Sequence, residues 1–179
     1  MKIQWHENDH FSLTSKTASV AINPQQNHKN DVVCYTAINP EENTNEPFSI
    51  ALPGEFEVSD VLIKVKKTPN ENALVYRFFI DEISVVFFSG LENVPETSFI
   101  EGLGESVDIA IVALSEKFNA AAAKKLLGEV QPRITILGGD KNMIATSATT
   151  FNINKKEENP ISVSRSGLPS ESTEVWVLC

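Results

Sequence analysis

Three histidines and three pairs of neighbouring acids are the residues best suited to metal or acid–base chemistry. They are His6, His10 and His28, and the pairs Glu41-Glu42, Asp81-Glu82 and Glu157-Glu158. His6 and His10 are four residues apart, but their segment has the pattern of a turn between two strands, where this spacing is not a metal template. Because a zinc site needs three to four converging ligands, we interpret the histidines as surface or structural residues. Neighbouring acids in loops are mostly solvated, and we interpret the pairs in that way.

Motifs for other catalytic classes are incomplete. Cys34 lies in an apolar segment without a nearby basic residue, which favours an inert buried thiol over a nucleophile. The chain has no Gly-x-Ser-x-Gly elbow of a serine hydrolase. The glycines at 102–104 and 137–139 complete neither a phosphate-binding loop nor a dinucleotide fingerprint.

Many short strands are predicted in the first half of the chain, from alternating or short apolar segments between polar turns. They are 2–5, 11–14, 19–22, 31–35, 48–52, 56–58, 61–65, 74–80 and 83–88. The last two flank Asp81-Glu82, a two-residue connection typical of a hairpin. This hairpin is apolar on both faces, so we expect it to be central and covered on both sides.

The second half of the chain adds helices. Strands predicted at 107–113 and 134–137 flank a predicted helix at 115–127, with Ser115 as its N-cap and Gly128 as its terminator. Such a unit predicts a parallel strand pair with a right-handed crossover. Short helices are predicted near 96–103 and 141–149, a solvated turn at 154–159, and final strands at 161–164 and 175–178. This pattern fits a sandwich of two sheets with helices outside.

Composition excludes several classes of partner. The 179 residues carry 24 acids against 15 bases, and 41% of them are hydrophobic. A net charge of −9 disfavours a nucleic-acid partner, because phosphate backbones need a basic face. No apolar run approaches the roughly 20 residues that span a bilayer. With two cysteines and no apolar signal-peptide core, we expect one cytoplasmic domain over residues 1–179.

A series of short motifs runs through the chain in a fixed order. They are Met1-Lys2-Ile3-Gln4-Trp5, Phe11-Ser12-Leu13, Ala21-Ile22-Asn23-Pro24, Pro53-Gly54-Glu55-Phe56-Glu57-Val58, Val107-Asp108-Ile109, Gln131-Pro132-Arg133-Ile134 and 161–169. In this order they resemble the metallo-β-lactamase fold family, and in particular its small, UlaG-like bacterial branch. The resemblance covers nearly the whole chain. It implies an α/β (α+β) sandwich of the αββα type, with two mixed β-sheets and helices on the outer faces.

The resemblance also implies where metal ligands would lie, and the chain departs from the family at each position. The signature Thr-His-x-His-x-Asp-His corresponds to residues 36–43, where only the threonine is kept. A later aspartate corresponds to Ser89-Gly90, and a final histidine to 138–140, where Asp140 would be either an oxygen ligand or a helix cap. The vestigial metal positions are therefore Asn39, Glu41, Glu42, Ser89 and Asp140.

Two functional hypotheses follow from these departures. The first is a protein that has lost its metal centre and hydrolase activity, uses no cofactor, and binds a small ligand, a protein partner or a second copy of itself. The second is a divalent-metal-dependent hydrolase of phosphodiesterase or esterase type, with oxygen ligands from Asn39, Glu41, Glu42 and Asp140. We favour the first, because a catalytic zinc site usually takes three protein ligands. The strand at 175–178 is either internal to the monomer or part of a dimer surface.

Overall fold

The computed structural model describes residues 1–25, 29–37, 48–69, 71–170 and 173–179. The strands of the first half are β1 (Lys2–Glu7), β2 (His10–Thr14), β3 (Ser19–Ile22), β4 (Val32–Cys34), β5 (Ser49–Ile50), β6 (Gly54–Val58), β7 (Val61–Lys67), β8 (Leu74–Ile80) and β9 (Ile83–Phe88). The second half contains α1 (Thr97–Glu101), β10 (Ile109–Leu114), α2 (Ala120–Val130), β11 (Ile134–Gly139), α3 (Lys141–Ser147), β12 (Ile153–Lys156), β13 (Ile161–Ser162) and β14 (Glu174–Leu178).

These strands form two mixed sheets. One has six strands in the order β13-β1-β2-β3-β4-β5, and the other has eight in the order β12-β14-β11-β10-β9-β8-β7-β6. The predicted two-sheet sandwich is confirmed. The three α-helices within the described ranges pack on the outer face of the eight-stranded sheet, where they share an apolar cluster with β9, β10 and β11.

Alternation along the central strands builds two apolar layers. In β9 and β10, Val85, Phe87, Ile109 and Ile111 face the six-stranded sheet, while Val86, Phe88, Ala110 and Val112 face the helices. All six residues of β9 are buried, as predicted for a strand covered on both sides. β8 differs from that prediction, because Phe79 on its outer face is 44% exposed.

Tight turns join the antiparallel strands. Asp81 and Glu82 both have positive φ angles (50° and 64°), which is the type I′ geometry of a two-residue hairpin loop. Ser59 and Asp60 make the same kind of turn between β6 and β7, with φ angles of 47° and 67°. The predicted hairpin connection is confirmed.

The crossover helix α2 starts and ends later than predicted. The Asn119 side chain is the N-cap, because it accepts hydrogen bonds from the backbone N–H groups of Ala121 and Ala122. Ser115 instead accepts from Phe118 N and closes a turn before the helix. Gly128 does not end the helix; Gln131 does, with a left-handed φ of 50°. The parallel pairing of β10 with β11 is as predicted.

The C-terminal half holds one strand that the prediction missed. β12 overlaps the first half of the segment 154–159 that was predicted as a solvated turn, and it pairs in parallel with β14. Its sequence, Ile-Asn-Lys-Lys, is polar because it is an edge strand with much of its surface exposed. β14 pairs with β11 on its other side, so the final strand is internal to the monomer. No described helix is long and apolar enough to cross a membrane.

Candidate functional site

Four polar side chains meet where several strands end, and we call them the strand-end cluster: Asp9, Asn23, Thr36 and Ser89. Asn23 follows β3, Ser89 follows β9, and Asp9 lies in the turn between β1 and β2. Asn23 Nδ2 donates to Asp9 Oδ2 at 2.7 Å, and Ser89 Oγ donates to the same oxygen at 2.8 Å. The cluster therefore connects both sheets through one carboxylate.

Thr36 fixes the orientation of the Asn23 amide. Thr36 N donates to Asn23 Oδ1 at 2.8 Å, and Asn23 Nδ2 donates to Thr36 Oγ1 at 2.8 Å. Asn23 has a φ of 48°, a left-handed conformation that asparagine tolerates better than most residues. Its N–H donates to the carbonyl of Cys34, so backbone and side chain are both held. Thr36 and Ser89 are buried, with 5% and 3% of their surface exposed.

The turn between β1 and β2 lies across the ends of these strands. Gly139 N donates to Asn8 O at 2.7 Å, and Trp5 Nε1 donates to the same carbonyl at 2.8 Å. Lys141 Nζ, at the start of α3, lies 2.8 Å from Glu7 Oε1. The contacts with Gly139 and Lys141 hold this turn, and Asp9 with it, beside the end of β11 and the start of α3.

Two glycines at the end of β11 leave no room for side chains. A Cβ on Gly139 would lie 2.1 Å from the carbonyl oxygen of Leu114, and one on Gly138 would lie 2.6 Å from the Phe11 ring. Gly139 also has a φ of 98°, which side-chain-bearing residues rarely adopt. By the resemblance, this is the region of the family's final histidine. At Gly139 the backbone of Leu114 leaves no room for an imidazole, and at Gly138 the buried Phe11 ring would have to move.

The structure places the predicted site residues at different locations. Ser89 belongs to the strand-end cluster. Asp140 instead caps α3, since its Oδ1 accepts from Asn142 N at 2.8 Å and Met143 N at 3.1 Å. The positions that lie outside the described residues are His28, Asn39, Glu41 and Glu42.

Asp9 and Asn23 were not predicted as site residues, although each carried a signal. Asn23 is part of the Ala21-Ile22-Asn23-Pro24 motif that contributes to the resemblance. Asp9 lies in the segment from His6 to His10, whose pattern predicts a turn between two strands.

The described residues do not fit a zinc centre of the kind that the resemblance implies. Within the described ranges, no group of three or more His, Cys, Asp and Glu side chains could hold a metal ion. The strand-end cluster offers a single carboxylate, that of Asp9, which accepts from Asn23 and Ser89 on Oδ2. One carboxylate falls short of the three protein ligands that a catalytic zinc site usually takes.

The two described histidines pair with each other on the surface of the six-stranded sheet. Their rings stack with centroids 4.2 Å apart and an interplanar angle of 21°. His6 Nε2 lies 3.0 Å from Ser12 Oγ, and partial burial lowers the pKa of His6. Parallel rings do not direct their in-plane lone pairs at one point, so this geometry supports the structural interpretation of both histidines.

Cys34 and Tyr76 lie beneath the cluster, between the sheets. Both are completely buried, and burial raises the pKa of each side chain far above its usual value. The Tyr76 hydroxyl lies 2.7 Å from the carbonyls of Tyr35 and Ile50, which share its single proton. The Cys34 thiol therefore stays protonated at neutral pH, in agreement with the prediction of an inert thiol.

Solved structures share this arrangement of sheets. A proposed zinc-dependent hydrolase of the metallo-β-lactamase superfamily from Thermotoga maritima matches with a TM-score of 0.82 at 20% identity, over 99% of this chain and 98% of that chain. The metallo-β-lactamase fold protein YhfI from Bacillus subtilis matches with 0.60 at 12% identity, over 97% and 89%. Igni18, a metallo hydrolase from the archaeon Ignicoccus hospitalis, matches with 0.56 at 12% identity, over 83% and 91%.

At these identities the similarity concerns the fold alone. This chain has the metallo-β-lactamase fold, as the order of its motifs indicated. No protein-family model and no curated protein sequence matches the chain.

Proposed function

We propose that this protein has lost the metal centre and the hydrolase activity of its fold, and that it acts as a binding or assembly module. The observation that carries the proposal is the strand-end cluster. There, the carboxylate of Asp9 accepts hydrogen bonds from Asn23 and Ser89, and no second carboxylate belongs to the cluster. Its partners are an amide and a hydroxyl, which are weak ligands for zinc.

The glycines at the end of β11 add a second, steric argument. Restoring a ligand at Gly139 would require the backbone to move away from Leu114, because the Cβ would lie 2.1 Å from its carbonyl oxygen. The pairing of β11 with β10 therefore disfavours a ligand side chain at Gly139 itself, which supports the proposal. The UlaG-like branch, a bacterial and cytoplasmic setting, and a partner that is a protein or a second copy remain parts of the proposal.

Metal content provides the direct test. The protein would be expressed in medium supplemented with zinc, manganese and iron, and each metal would be measured per chain by mass spectrometry after desalting. We expect substoichiometric amounts of all three. One tightly bound ion per chain would contradict the proposal, and its loss in Asp9→Ala but not in Asp140→Ala would assign the ion to the strand-end cluster. The second variant is the matched control, since Asp140 caps α3 instead of joining the cluster.

A divalent-metal-dependent hydrolase is the second candidate. It is favoured by the oxygen donors of Asp9, Thr36 and Ser89, which meet at the strand ends and are of the type that magnesium and manganese accept. The structural neighbour from Ignicoccus hospitalis is a metallo hydrolase. A screen with phosphodiester and ester substrates and added magnesium or manganese tests this candidate. Activity that is lost in Asp9→Ala and Glu42→Ala, but kept in Asp140→Ala, would establish it.

A further inference from the structure

The strand-end cluster has the form of a receptor for one carboxylate group. Its two donors, Asn23 Nδ2 and Ser89 Oγ, reach Asp9 from positions 14 and 80 residues away in the sequence. Asn23 follows β3 in the six-stranded sheet and Ser89 follows β9 in the eight-stranded sheet, while Asp9 lies in the turn that joins β1 to β2. The two donors thus come from different sheets and meet on the one carboxylate that this turn supplies.

We infer that Asn23 and Ser89 form a carboxylate-binding subsite that Asp9 occupies in cis, and that the carboxylate of a ligand takes its place when the β1–β2 turn lifts. The inference rests on the proposed function, because a metal centre would use the same space. It adds the chemical class of the ligand, an organic carboxylate, and the way in which access is controlled.

Because Asn23 Nδ2 and Ser89 Oγ are both hydrogen-bond donors, the subsite favours an acceptor that carries negative charge. Asn23 Oδ1 accepts from Thr36 N, which turns Nδ2 towards Asp9. The Nδ2 protons serve Asp9 and Thr36, and Ser89 has one hydroxyl proton, which it donates to Asp9. Hydrogen bonds to an ionised acceptor are roughly twice as strong as neutral ones, so a carboxylate oxygen is the best occupant of this position.

The turn that carries Asp9 is fastened from outside the cluster. Asn8 O accepts from Gly139 N, and this bond holds the turn beside the end of β11. The bond that Asn8 O accepts from Trp5 Nε1 lies within the β1–β2 hairpin and would move with the turn. The ion pair between Lys141 and Glu7 is largely exposed and contributes little. Asp9 is tethered to the site by the chain, which gives it an effective concentration in the millimolar range or above. A small free carboxylate therefore does not displace Asp9 from the intact protein. A natural ligand would need contacts beyond its carboxylate.

Acetate rescue of Asp9→Ala tests the subsite. Thermal melting would be followed in metal-depleted buffer with increasing sodium acetate, with sodium chloride at equal ionic strength and neutral acetamide as controls. We expect Asp9→Ala to melt below the wild type and acetate to raise its melting temperature saturably, beyond the effect of either control. In Asp9→Ala/Ser89→Ala the acetate effect should largely disappear, and wild-type protein should respond to acetate and chloride equally.

A melting temperature of Asp9→Ala that responds equally to acetate and chloride would overturn the inference, as would an acetate effect that survives the loss of Ser89. Should Asp9→Ala fail to fold, its refolding yield against acetate concentration gives the same readout. Asp9→Asn keeps a carbonyl acceptor, so it should fold and show no acetate effect; a strong acetate response would count against the subsite. Metal content measured on the same samples separates the two proposals, because stoichiometric metal contradicts the proposed function whatever the acetate result.

Discussion

Replacing Gly139 by alanine tests whether the end of β11 can accept any side chain. The new Cβ would lie 2.1 Å from Leu114 O and 2.4 Å from Leu114 N, so β11 would have to move relative to β10. Such overpacking costs about 1–3 kcal/mol. The φ of 98° is unfavourable for alanine and costs on the order of 1–3 kcal/mol more. We therefore expect a loss of roughly 3 kcal/mol or more, a large part of the 5–15 kcal/mol typical of a folded domain.

The measurement is urea denaturation of wild type and variant, followed by circular dichroism. Gly128→Ala is the matched control, because nothing lies within 4 Å of a Cβ at that position in α2. Alanine is favoured over glycine inside a helix by about 0.5–1 kcal/mol, so the control should be slightly more stable than wild type. A Gly139→Ala variant within about 0.5 kcal/mol of wild type would refute the steric argument, since changes of that size are typical of neutral surface sites.

Three further predictions concern side chains outside the strand-end cluster. Thr135→Val should stabilise the protein by about 1 kcal/mol in urea denaturation, because the buried Thr135 hydroxyl has no hydrogen-bond partner in the described structure. The control is Thr36→Val, which removes a hydrogen-bonded hydroxyl and should therefore destabilise the protein. A thiol reagent should label Cys179 quickly and Cys34 only after unfolding, and equal rates would contradict the burial of Cys34. Because the folded state lowers the pKa of His6, stability should fall as pH drops below the ordinary imidazole pKa of about 6.5. His6→Gln should weaken that dependence in thermal melts, and an unchanged dependence would exclude His6 as its source.

Local signals predicted the elements that depend on near neighbours. The hairpin at Asp81-Glu82 follows from two apolar strands with a two-residue connection, and its positive φ angles agree with that prediction. The start of α2 was misplaced because Ser115 and Asn119 are both good caps, and only the packed structure decides that Asn119 caps the helix while Ser115 closes a turn. β12 was missed because an edge strand exposed to solvent need not be apolar.

Most of the candidate site depends on hydrogen bonds between residues that are far apart in the sequence, and no local sequence pattern predicts them. Ser89 was identified through the resemblance, but its partner Asp9 is 80 residues away, and Asn23 is 14 residues from Asp9. Pairing of polar side chains across two sheets depends on the register of both sheets. The helix-capping role of Asp140 needed only the helix that follows it, and it was among the alternatives drawn from the sequence.

The distribution of satisfied polar groups supports the proposal of a closed, non-metal centre. A site that awaits a metal holds side chains whose partners are supplied by the ligand, so some of its buried polar atoms lack bonds without it. Within the described residues, the one buried side-chain polar atom without a partner is Thr135 Oγ1, near the start of β11. In the strand-end cluster, by contrast, Asn23, Thr36 and Ser89 are hydrogen-bonded. Asp9 connects the two sheets through its bonds from Asn23, which follows β3, and Ser89, which follows β9.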